Sequence, residues 1–238
     1  MVTPLSTPRF RSPGDPEPRF RTIILDADST LTRLEGIDWL AARRGPETMA
    51  LVAGLTDRSM AGDIPLDAVY GERLALVRPS RADVAALVSA YITATVPGAM
   101  LVLDELRDRD VEVVVVSGGL FEAVAPFARA LGVCTDHVRA VHVRFDDDGA
   151  YADYDRTSPL ATQHGKRAVA DALVAGTLGG APLPRPVLAV GDGSTDLAMK
   201  PAVDAFAAFT GVARRDAVVR GADHVLDSFD ALAELVLA

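Results

Sequence analysis

The chain has 238 residues, of which 49% are hydrophobic and 24% are charged, so it can bury a sizeable core and is neither disordered nor collagen-like. Its 33 acidic and 24 basic residues give a formal net charge of -9, which argues against a surface built to bind nucleic acid or an anionic membrane. The single cysteine, Cys134, excludes an intrachain disulfide, and no apolar run approaches the roughly 20 residues that span a bilayer. We expect a soluble, cytoplasmic protein with no nucleic-acid or membrane partner.

The first 20 residues contain five prolines and show no helical or strand periodicity. This composition predicts a flexible tail over residues 1–20. The segment also lacks the apolar stretch of a secretory signal, which agrees with a cytoplasmic location.

Three short apolar runs further along the chain predict buried strands, at Thr22–Leu25, Val111–Val116 and Val187–Val190. Near-continuous runs of Val, Ile and Leu are typical of strands that are covered on both faces, as in a parallel sheet with helices between the strands. Each run ends in a polar or glycine-rich segment, and ligands of open α/β sheets bind at that edge. The three segments, which we expect to meet at one site, are Asp26-Ala27-Asp28, Ser117-Gly118-Gly119 and Gly191-Asp192-Gly193.

No strand-like run occurs between Gly36 and Ile92, only amphipathic stretches, and this is long for a strand-to-strand crossover. We therefore expect about four helices inserted after the first strand, as a helical cap over residues 36–95. Residues 21–35 and 96–238 then form an α/β, Rossmann-like core with a parallel sheet. Alternation of apolar and polar residues over 141–155, around an Asp-Gly pair, predicts a small β-hairpin that acts as a second flap.

The polar segments suit phosphate chemistry when they are taken together, although each alone is also ordinary loop or capping chemistry. Asp26 and Asp28 provide a nucleophile and an acid/base pair in one loop. Ser117 and the amides that follow it can hold an oxyanion at the start of a helix. Asp192 and Asp196 lie four residues apart after a strand, which suits a hard cation with oxygen ligands.

Lys166 follows Gly165 at the predicted start of a helix, where a cation is disfavoured by the helix dipole. The usual interpretation is an exposed lysine. Among 24 cationic residues, however, only Lys166 and Lys200 are lysine, and a compact ammonium is not interchangeable with a guanidinium at a phosphate. We expect Lys166 to lie beside a phosphoryl group.

The order of the motifs Asp-Ala-Asp-Ser-Thr, Ser-Gly-Gly, Gly-Lys and Gly-Asp-Gly-Ser-Thr-Asp resembles the haloacid dehalogenase superfamily. The span from about Thr22 to Leu235 is similar to those members that act on phosphoserine. The resemblance implies that Asp26 attacks phosphorus and that Asp28 protonates the leaving oxygen and then activates water. It also implies that Mg²⁺ is held by the carboxylates of Asp26 and Asp192 and the backbone carbonyl of Asp28.

The remaining roles also follow from the resemblance. Phosphoryl oxygens would be held by Ser117, Gly118, Gly119 and Lys166, whereas the substrate amine and carboxylate would be bound by Glu35 and Arg73, with Met60 and Thr195 nearby. The expected reaction is Mg²⁺-dependent hydrolysis of phosphoserine, the last step of serine biosynthesis. An alternative is a phosphatase or phosphotransferase of the same superfamily that acts on another small phosphomonoester. A structural alternative for Arg73 is an ion pair with Glu72 on the helix surface.

Overall fold

The computed structural model describes residues 16–61 and 63–237, without the side chains of Met60 and Ala61. Residues 1–15 of the predicted tail therefore lie outside the described part of the chain. The tail boundary at residue 20 is wrong, because Phe20 is buried and Arg19 N donates to Val236 O at 2.7 Å. Packing of one aromatic ring and a backbone hydrogen bond attach residues 16–20 to the core.

Within the described part of the chain, eight strands form two sheets. They are β1 (Thr22–Leu25), β2 (Glu112–Leu120), β3 (Val138–Val141), β4 (Val143–Phe145), β5 (Tyr151–Tyr154), β6 (Val187–Gly191), β7 (Ala205–Phe209) and β8 (His224–Leu226). Six of them make a parallel sheet in the order β3-β2-β1-β6-β7-β8, which confirms the predicted parallel α/β core. The sequence reasoning located β1, β2 and β6 but not β3, β7 and β8.

The missed strands carry weak periodic signals. β3 and β8 have only four and three residues, and β3 lies at an edge of the sheet. β7 reads Ala-Phe-Ala-Ala-Phe, a short apolar run whose composition fits a buried helix as well as a strand. Only its pairing with β6 and β8 identifies it.

Ten α-helices accompany the sheets in residues 16–61 and 63–237. They are α1 (Gly36–Ala42), α2 (Pro46–Ala61), α3 (Leu66–Val77), α4 (Arg81–Thr93), α5 (Ala99–Asp108), α6 (Phe121–Ala130), α7 (Gly165–Ala175), α8 (Ser194–Leu197), α9 (Asp216–Gly221) and α10 (Phe229–Leu237). The four helices α1–α4 follow β1 directly, which confirms the predicted helical insert. No helix in the described ranges is long and apolar enough to cross a membrane.

The register of the central strands brings the predicted motifs together. Leu25, the last residue of β1, is paired with Val115 of β2 on one side and Val190 of β6 on the other. The Asp26 amide extends this pairing by donating to Val190 O at 3.0 Å. Because all three strands are parallel, the segments after them lie at one edge of the sheet.

The predicted hairpin is confirmed as the antiparallel pair β4 and β5. Gly149 in its turn has a φ of +81°, a left-handed conformation that favours glycine. The hairpin contacts the helical insert, since Arg81 N donates to Gly149 O at 2.8 Å and the rings of Tyr70 and Tyr154 lie 5.2 Å apart.

Candidate active site

A tight turn after β1 places Asp26 and Asp28 at the same cavity. The amides of Leu31 and Thr32 both donate to Ala27 O, at 2.8 and 3.1 Å, and Ser29 adopts a left-handed φ of +53°. This turn reverses the chain within a few residues, so that the two carboxylates no longer point to opposite faces as they would in a strand. Both line one small cavity together with the end of β2 and the helical insert.

Lys166 is buried between two carboxylates. Its Nζ lies 2.6 Å from Asp26 Oδ1 and 2.6 Å from Asp196 Oδ1. Burial alone would lower the pKa of Lys166, but the charges of Asp196 and Asp26 outweigh it and raise the pKa above its usual range. Lys166 is therefore a permanent cation at the site, and its interpretation as an exposed helix-start lysine is wrong.

Gly165 allows this close approach of α7. A Cβ atom built at Gly165 would lie 1.6 Å from the backbone oxygen of Pro159, which no real side chain could tolerate. The first turn of α7 consequently packs directly on the preceding segment and carries Lys166 into the site.

Three carboxylates form a cluster that fits a metal ion. One oxygen each of Asp26, Asp192 and Asp196 can be chosen so that all lie within 4.8 Å of one another, and all three residues are buried. Carboxylate oxygens are the ligands that Mg²⁺ and Ca²⁺ prefer. Asp26 Oδ1 has no partner in hydrogen-bond geometry among the described residues, so its only compensation is the Lys166 ion pair. The donor set thus fits a hard divalent cation.

Asp196 joins this cluster, as expected for an acid four residues after Asp192, although the ligand set that the family resemblance implies does not include it. Its spacing from Asp192 was the available signal. Burial and the charge of Asp26 raise the pKa of Asp196 to about 6, against the opposing effect of Lys166. The carboxylate of Asp28 is not part of the cluster, and the predicted ligand role of its backbone carbonyl stays a prediction.

The carboxyl end of β2 adds polar groups to the site, since the strand continues through Ser117, Gly118 and Gly119 to Leu120 and does not end at Val116 as predicted. Ser117 is buried, and its Oγ accepts a hydrogen bond from Gly119 N at 3.0 Å. Gly118 and Gly119 line the cavity beside Lys166 and Thr195, as expected from the sequence. Tyr70 of α3 donates from its hydroxyl to Gly118 O at 2.9 Å, which connects this loop to the helical insert.

Asp28 is held at both of its oxygens. Tyr91 of α4 donates its hydroxyl hydrogen to Oδ1 at 2.5 Å, and Gly36 N donates to Oδ2 at 2.8 Å. Burial raises the pKa of Asp28 to about 6 in spite of these two hydrogen bonds, and the charge of Asp26 adds to the increase. A carboxyl group with such a pKa is suited to acid/base catalysis near neutral pH.

A carboxyl group at the junction with the insert, Glu35, and a guanidinium within the insert, Arg73, line the same cavity. Glu35 Oε1 accepts a hydrogen bond from Ser29 Oγ at 2.7 Å, and burial with the charge of Asp28 raises the pKa of Glu35 to about 8. Arg73 is 4% exposed, and its Nη2 lies 3.3 Å from Asp38 Oδ1. Arg73 is therefore not a surface residue paired with Glu72, and that alternative is wrong.

Arg73 has further donor capacity. Its Nε is buried and has no hydrogen-bond partner among the described residues. Asp38, which accepts from Arg73, also accepts from Thr56 Oγ1 at 2.5 Å and is held on the inner side of the insert. The guanidinium is oriented toward the cavity by this pair and can still bind an anion.

Arg215 is a site residue that the sequence did not reveal. Its Nη1 contacts Asp192 Oδ2, and its Nη2 lies 4.0 Å from Glu35 Oε1. The chain contains 22 arginines, and Arg215 lies in a loop after β7 that carries no motif, so no sequence signal distinguishes it. Met60, predicted near the substrate, lies outside the described side chains.

The cavity is nearly closed. Its volume is about 30 Å³, and its lining comes from both the core loops and α3. This is the space of about one or two water molecules, too small for a phosphorylated amino acid. Side chains of the core and of α3 therefore lie close together across the site.

Comparisons with known proteins agree with this geometry. Residues 23–200 match the haloacid dehalogenase-like hydrolase family. The chain is 36% identical to the phosphoserine phosphatase of Rattus norvegicus over 90% of this chain and 92% of that protein, and 35% identical to that of Homo sapiens with the same coverage.

A solved structure is also similar to most of this chain. It is a phosphoserine phosphohydrolase-like protein from Francisella tularensis, with a TM-score of 0.80, 25% identity, and coverage of 90% of this chain and 99% of that one. The chain belongs to the haloacid dehalogenase-like hydrolases, in the group formed by the phosphoserine phosphatases.

Proposed function

We propose that this protein hydrolyses O-phospho-L-serine to L-serine and inorganic phosphate, as the last step of serine biosynthesis, in the cytoplasm and with Mg²⁺ as its cation. The observation that carries the proposal is one cavity in which a carboxylate and ammonium cluster faces a carboxyl group at the junction with the insert and a guanidinium within the insert. Asp26 and Lys166 belong to the cluster, and Glu35 and Arg73 belong to the insert side. Residues 36–95 act as the cap and residues 21–35 and 96–238 as the core.

The nucleophile in this mechanism is Asp26. Its carboxylate attacks phosphorus and forms an aspartyl phosphate, and water hydrolyses that intermediate in a second step. Lys166, the Ser117 hydroxyl and the amides of Gly118 and Gly119 bind the phosphoryl oxygens. Asp26, Asp192 and Asp196 would supply carboxylate ligands to Mg²⁺, together with the predicted backbone carbonyl of Asp28, and the ion would neutralise charge on the phosphate.

Asp28 supplies and removes the protons. As an acid it protonates the serine oxygen while the P–O bond breaks, and as a base it then takes a proton from the attacking water. The raised pKa of about 6 supports the first role, because an appreciable fraction of the carboxyl group is then protonated near neutral pH. Tyr91 and Gly36 hold this carboxyl group in place.

Selectivity for an amino-acid phosphate rests on Glu35 and Arg73. A zwitterionic substrate needs an anion for its ammonium and a guanidinium for its carboxylate. Burial leaves Glu35 at a pKa of about 8 in the absence of substrate, and an incoming ammonium favours its ionised form. Thr195, buried at the start of α8, completes the wall of the cavity.

The proposal is tested with a panel of phosphomonoesters, with released phosphate as the readout, in the presence of Mg²⁺ and then of excess EDTA. We expect phosphoserine to have the highest kcat/KM and EDTA to abolish turnover. Asp26→Asn should form no phosphoenzyme from radiolabelled phosphoserine, while its thermal unfolding remains cooperative. If a phosphomonoester without an amine and a carboxylate had a higher kcat/KM than phosphoserine, the substrate assignment would be wrong and that ester would be the better substrate.

A further inference from the structure

We propose that Tyr91 is a positioning residue for the reaction, and that its hydroxyl holds the Asp28 carboxyl group in the orientation needed to protonate the leaving oxygen. The inference rests on the proposed role of Asp28 as acid and base. It adds a residue of the insert to the proton-transfer machinery, from a helix in which the sequence carries no recognised catalytic motif.

The hydrogen bonds of Asp28 support this role. Tyr91 binds Oδ1 and Gly36 N binds Oδ2, at 2.5 and 2.8 Å. With each oxygen anchored to a different group, the carboxyl group cannot rotate about the Cβ–Cγ bond without breaking a hydrogen bond. The Gly36 bond alone would hold only one oxygen, and the Tyr91 bond adds the second fixed point that sets the plane of the acid.

The position of Tyr91 is itself rigid. Its side chain is fully buried, and its ring packs against Phe127 with 5.3 Å between ring centroids. A Cβ atom at Gly36 would lie 2.0 Å from the Tyr91 hydroxyl oxygen, so glycine at this position is required for the hydroxyl to reach Asp28. In the pair Glu35-Gly36, the side chain of Glu35 lines the cavity, and the missing side chain of Gly36 lets the Tyr91 hydroxyl reach Asp28.

The Tyr91 hydroxyl also keeps its proton. Burial, followed by the charge of Asp28, raises the pKa of Tyr91 well above its usual value. Tyr91 therefore remains a hydrogen-bond donor throughout the pH range of the reaction. It does not act as the acid itself; it fixes the direction in which Asp28 gives its proton.

This role predicts a dependence on the leaving group. When Asp26 forms its bond to phosphorus and the bond to the serine oxygen breaks, the departing alkoxide is strongly basic and needs the proton of Asp28. The 4-nitrophenolate ion is weakly basic and can leave without a proton. A misplaced Asp28 should therefore slow phosphoenzyme formation from phosphoserine and leave phosphoenzyme formation from 4-nitrophenyl phosphate nearly unchanged.

The experiment measures kcat/KM of Tyr91→Phe with phosphoserine and with 4-nitrophenyl phosphate. The parameter kcat/KM is used because it reports only the steps up to and including phosphoenzyme formation. We expect a loss of about tenfold or more with phosphoserine and of less than about twofold with the aryl ester. Tyr154→Phe, a change of the same kind in the hairpin, should leave the ratio between the two substrates unaltered. If wild-type enzyme prefers another alkyl phosphomonoester, that substrate replaces phosphoserine, so the two proposals fail separately.

A double-mutant cycle tests whether Tyr91 acts through Asp28. In an Asp28→Asn background, Tyr91→Phe should cause no further loss in the rate of phosphoenzyme formation from phosphoserine, measured by rapid quench. Gly36→Ala provides a second variant if Tyr91→Phe unfolds, because the added methyl group displaces the hydroxyl and should give the same selective loss. Equal losses on both substrates, no loss on either, or additive losses in the cycle would overturn the proposal.

Discussion

Lys166 compensates two buried carboxylates at the centre of the site, within 2.6 Å of Asp26 and of Asp196. The scarcity of lysine in the sequence did not by itself identify it. Lys200, the other lysine, is half-buried outside the cavity and pairs with Asp223 at 2.7 Å. The scarcity of lysine applies equally to Lys166 and Lys200. Only the burial of Lys166 in the structure distinguishes it from Lys200 as a site residue.

Replacing Lys166 by arginine tests whether the buried space between Asp26 and Asp196 accepts a cation larger than an ammonium group. The planar guanidinium is larger than the ammonium and cannot approach both carboxylates in the buried space, so we expect kcat to fall about 100-fold or more. Lys200→Arg is the matched control and should retain wild-type kcat. Near-normal turnover of Lys166→Arg would show that only the charge matters at this position.

Arg73 is expected to determine affinity for the substrate carboxylate. Arg73→Ala should raise KM for phosphoserine about 30-fold or more, which corresponds to roughly 2 kcal/mol or more for charge-assisted hydrogen bonds. Hydrolysis of 4-nitrophenyl phosphate should change little, because this ester has no carboxylate beside its phosphate. Arg58→Ala, at an exposed position in α2, is the control.

A loss of equal size on both substrates would give Arg73 a different role. Its contact with Asp38 would then serve to hold α1 against α3, and amino-acid selectivity would have to come from other residues. Thermal unfolding of Arg73→Ala separates the two cases, because a structural role also lowers the melting temperature.

At the scale of elements, the insert is tied to the core by hydrogen bonds outside the catalytic cluster. Gln163 Oε1 accepts from Leu66 N at 3.2 Å, and Gln163 Nε2 donates to Ser194 Oγ at 3.2 Å. Ser194 Oγ in turn donates to Ser59 O in α2 at 3.2 Å. These contacts hold α2 and α3 against the core.

Helix α4, which carries Tyr91, begins with a capping box. Ser80 Oγ accepts from Asp83 N at 3.1 Å, and Asp83 Oδ2 accepts from Ser80 N at 3.0 Å. Asp83 also accepts from Arg44 at 2.6 Å, which joins α4 to the end of α1. The capping box therefore stabilises both the start of α4 and its contact with the segment at the end of α1.

Ser80→Ala should reduce the free energy of unfolding by about 1 kcal/mol, the usual value of an N-cap side chain. Because the substitution lies eleven residues from Tyr91, kcat should change less than about twofold. Chemical denaturation measures the first effect, and Ser89→Ala, inside the same helix, is the control. A stability loss no larger than that of Ser89→Ala would contradict a contribution from the capping box.

At the scale of the whole molecule, buried acids make stability depend on pH. Burial raises the pKa of Glu35 from 4.5 to about 8, so the folded state binds a proton that the unfolded state has released over this interval. The free energy of unfolding therefore falls as pH rises from about 4.5 through 8. The stabilisation is complete below the unfolded-state pKa and is lost above the folded-state value.

Metal-free protein should consequently have a higher melting temperature at pH 5 than at pH 8. Glu35→Gln should reduce this difference, and should reduce the corresponding difference in the free energy of unfolding by an amount on the order of a few kcal/mol, since the amide carries no titratable proton. Glu47→Gln, at an exposed position in α2, should leave it unchanged. An unaltered pH dependence in Glu35→Gln would show that the Glu35 carboxyl group is not buried as a neutral acid in the free protein.

Much of the molecule could be predicted from local sequence. Apolar runs identified β1, β2 and β6 because strands covered on both faces must be continuously apolar. The four-helix insert and the hairpin followed from periodicity and turn residues, and the polar segments after the strands converge as the parallel topology requires. These features depend on neighbours in the chain.

Tertiary structure alone decided which groups touch. Short strands such as β7 are defined by pairing with other strands, and the partners of Lys166 come from segments 30 and 140 residues away. Arg215 beside Asp192 and Tyr91 on Asp28 lie in segments without a motif, and only packing brings them to the cavity. Local sequence is enough to identify the chemical groups of the site and the order of the helices and strands. Which groups are partners, and which of them are protonated, depends on burial and contact distance, and both arise only in the folded chain.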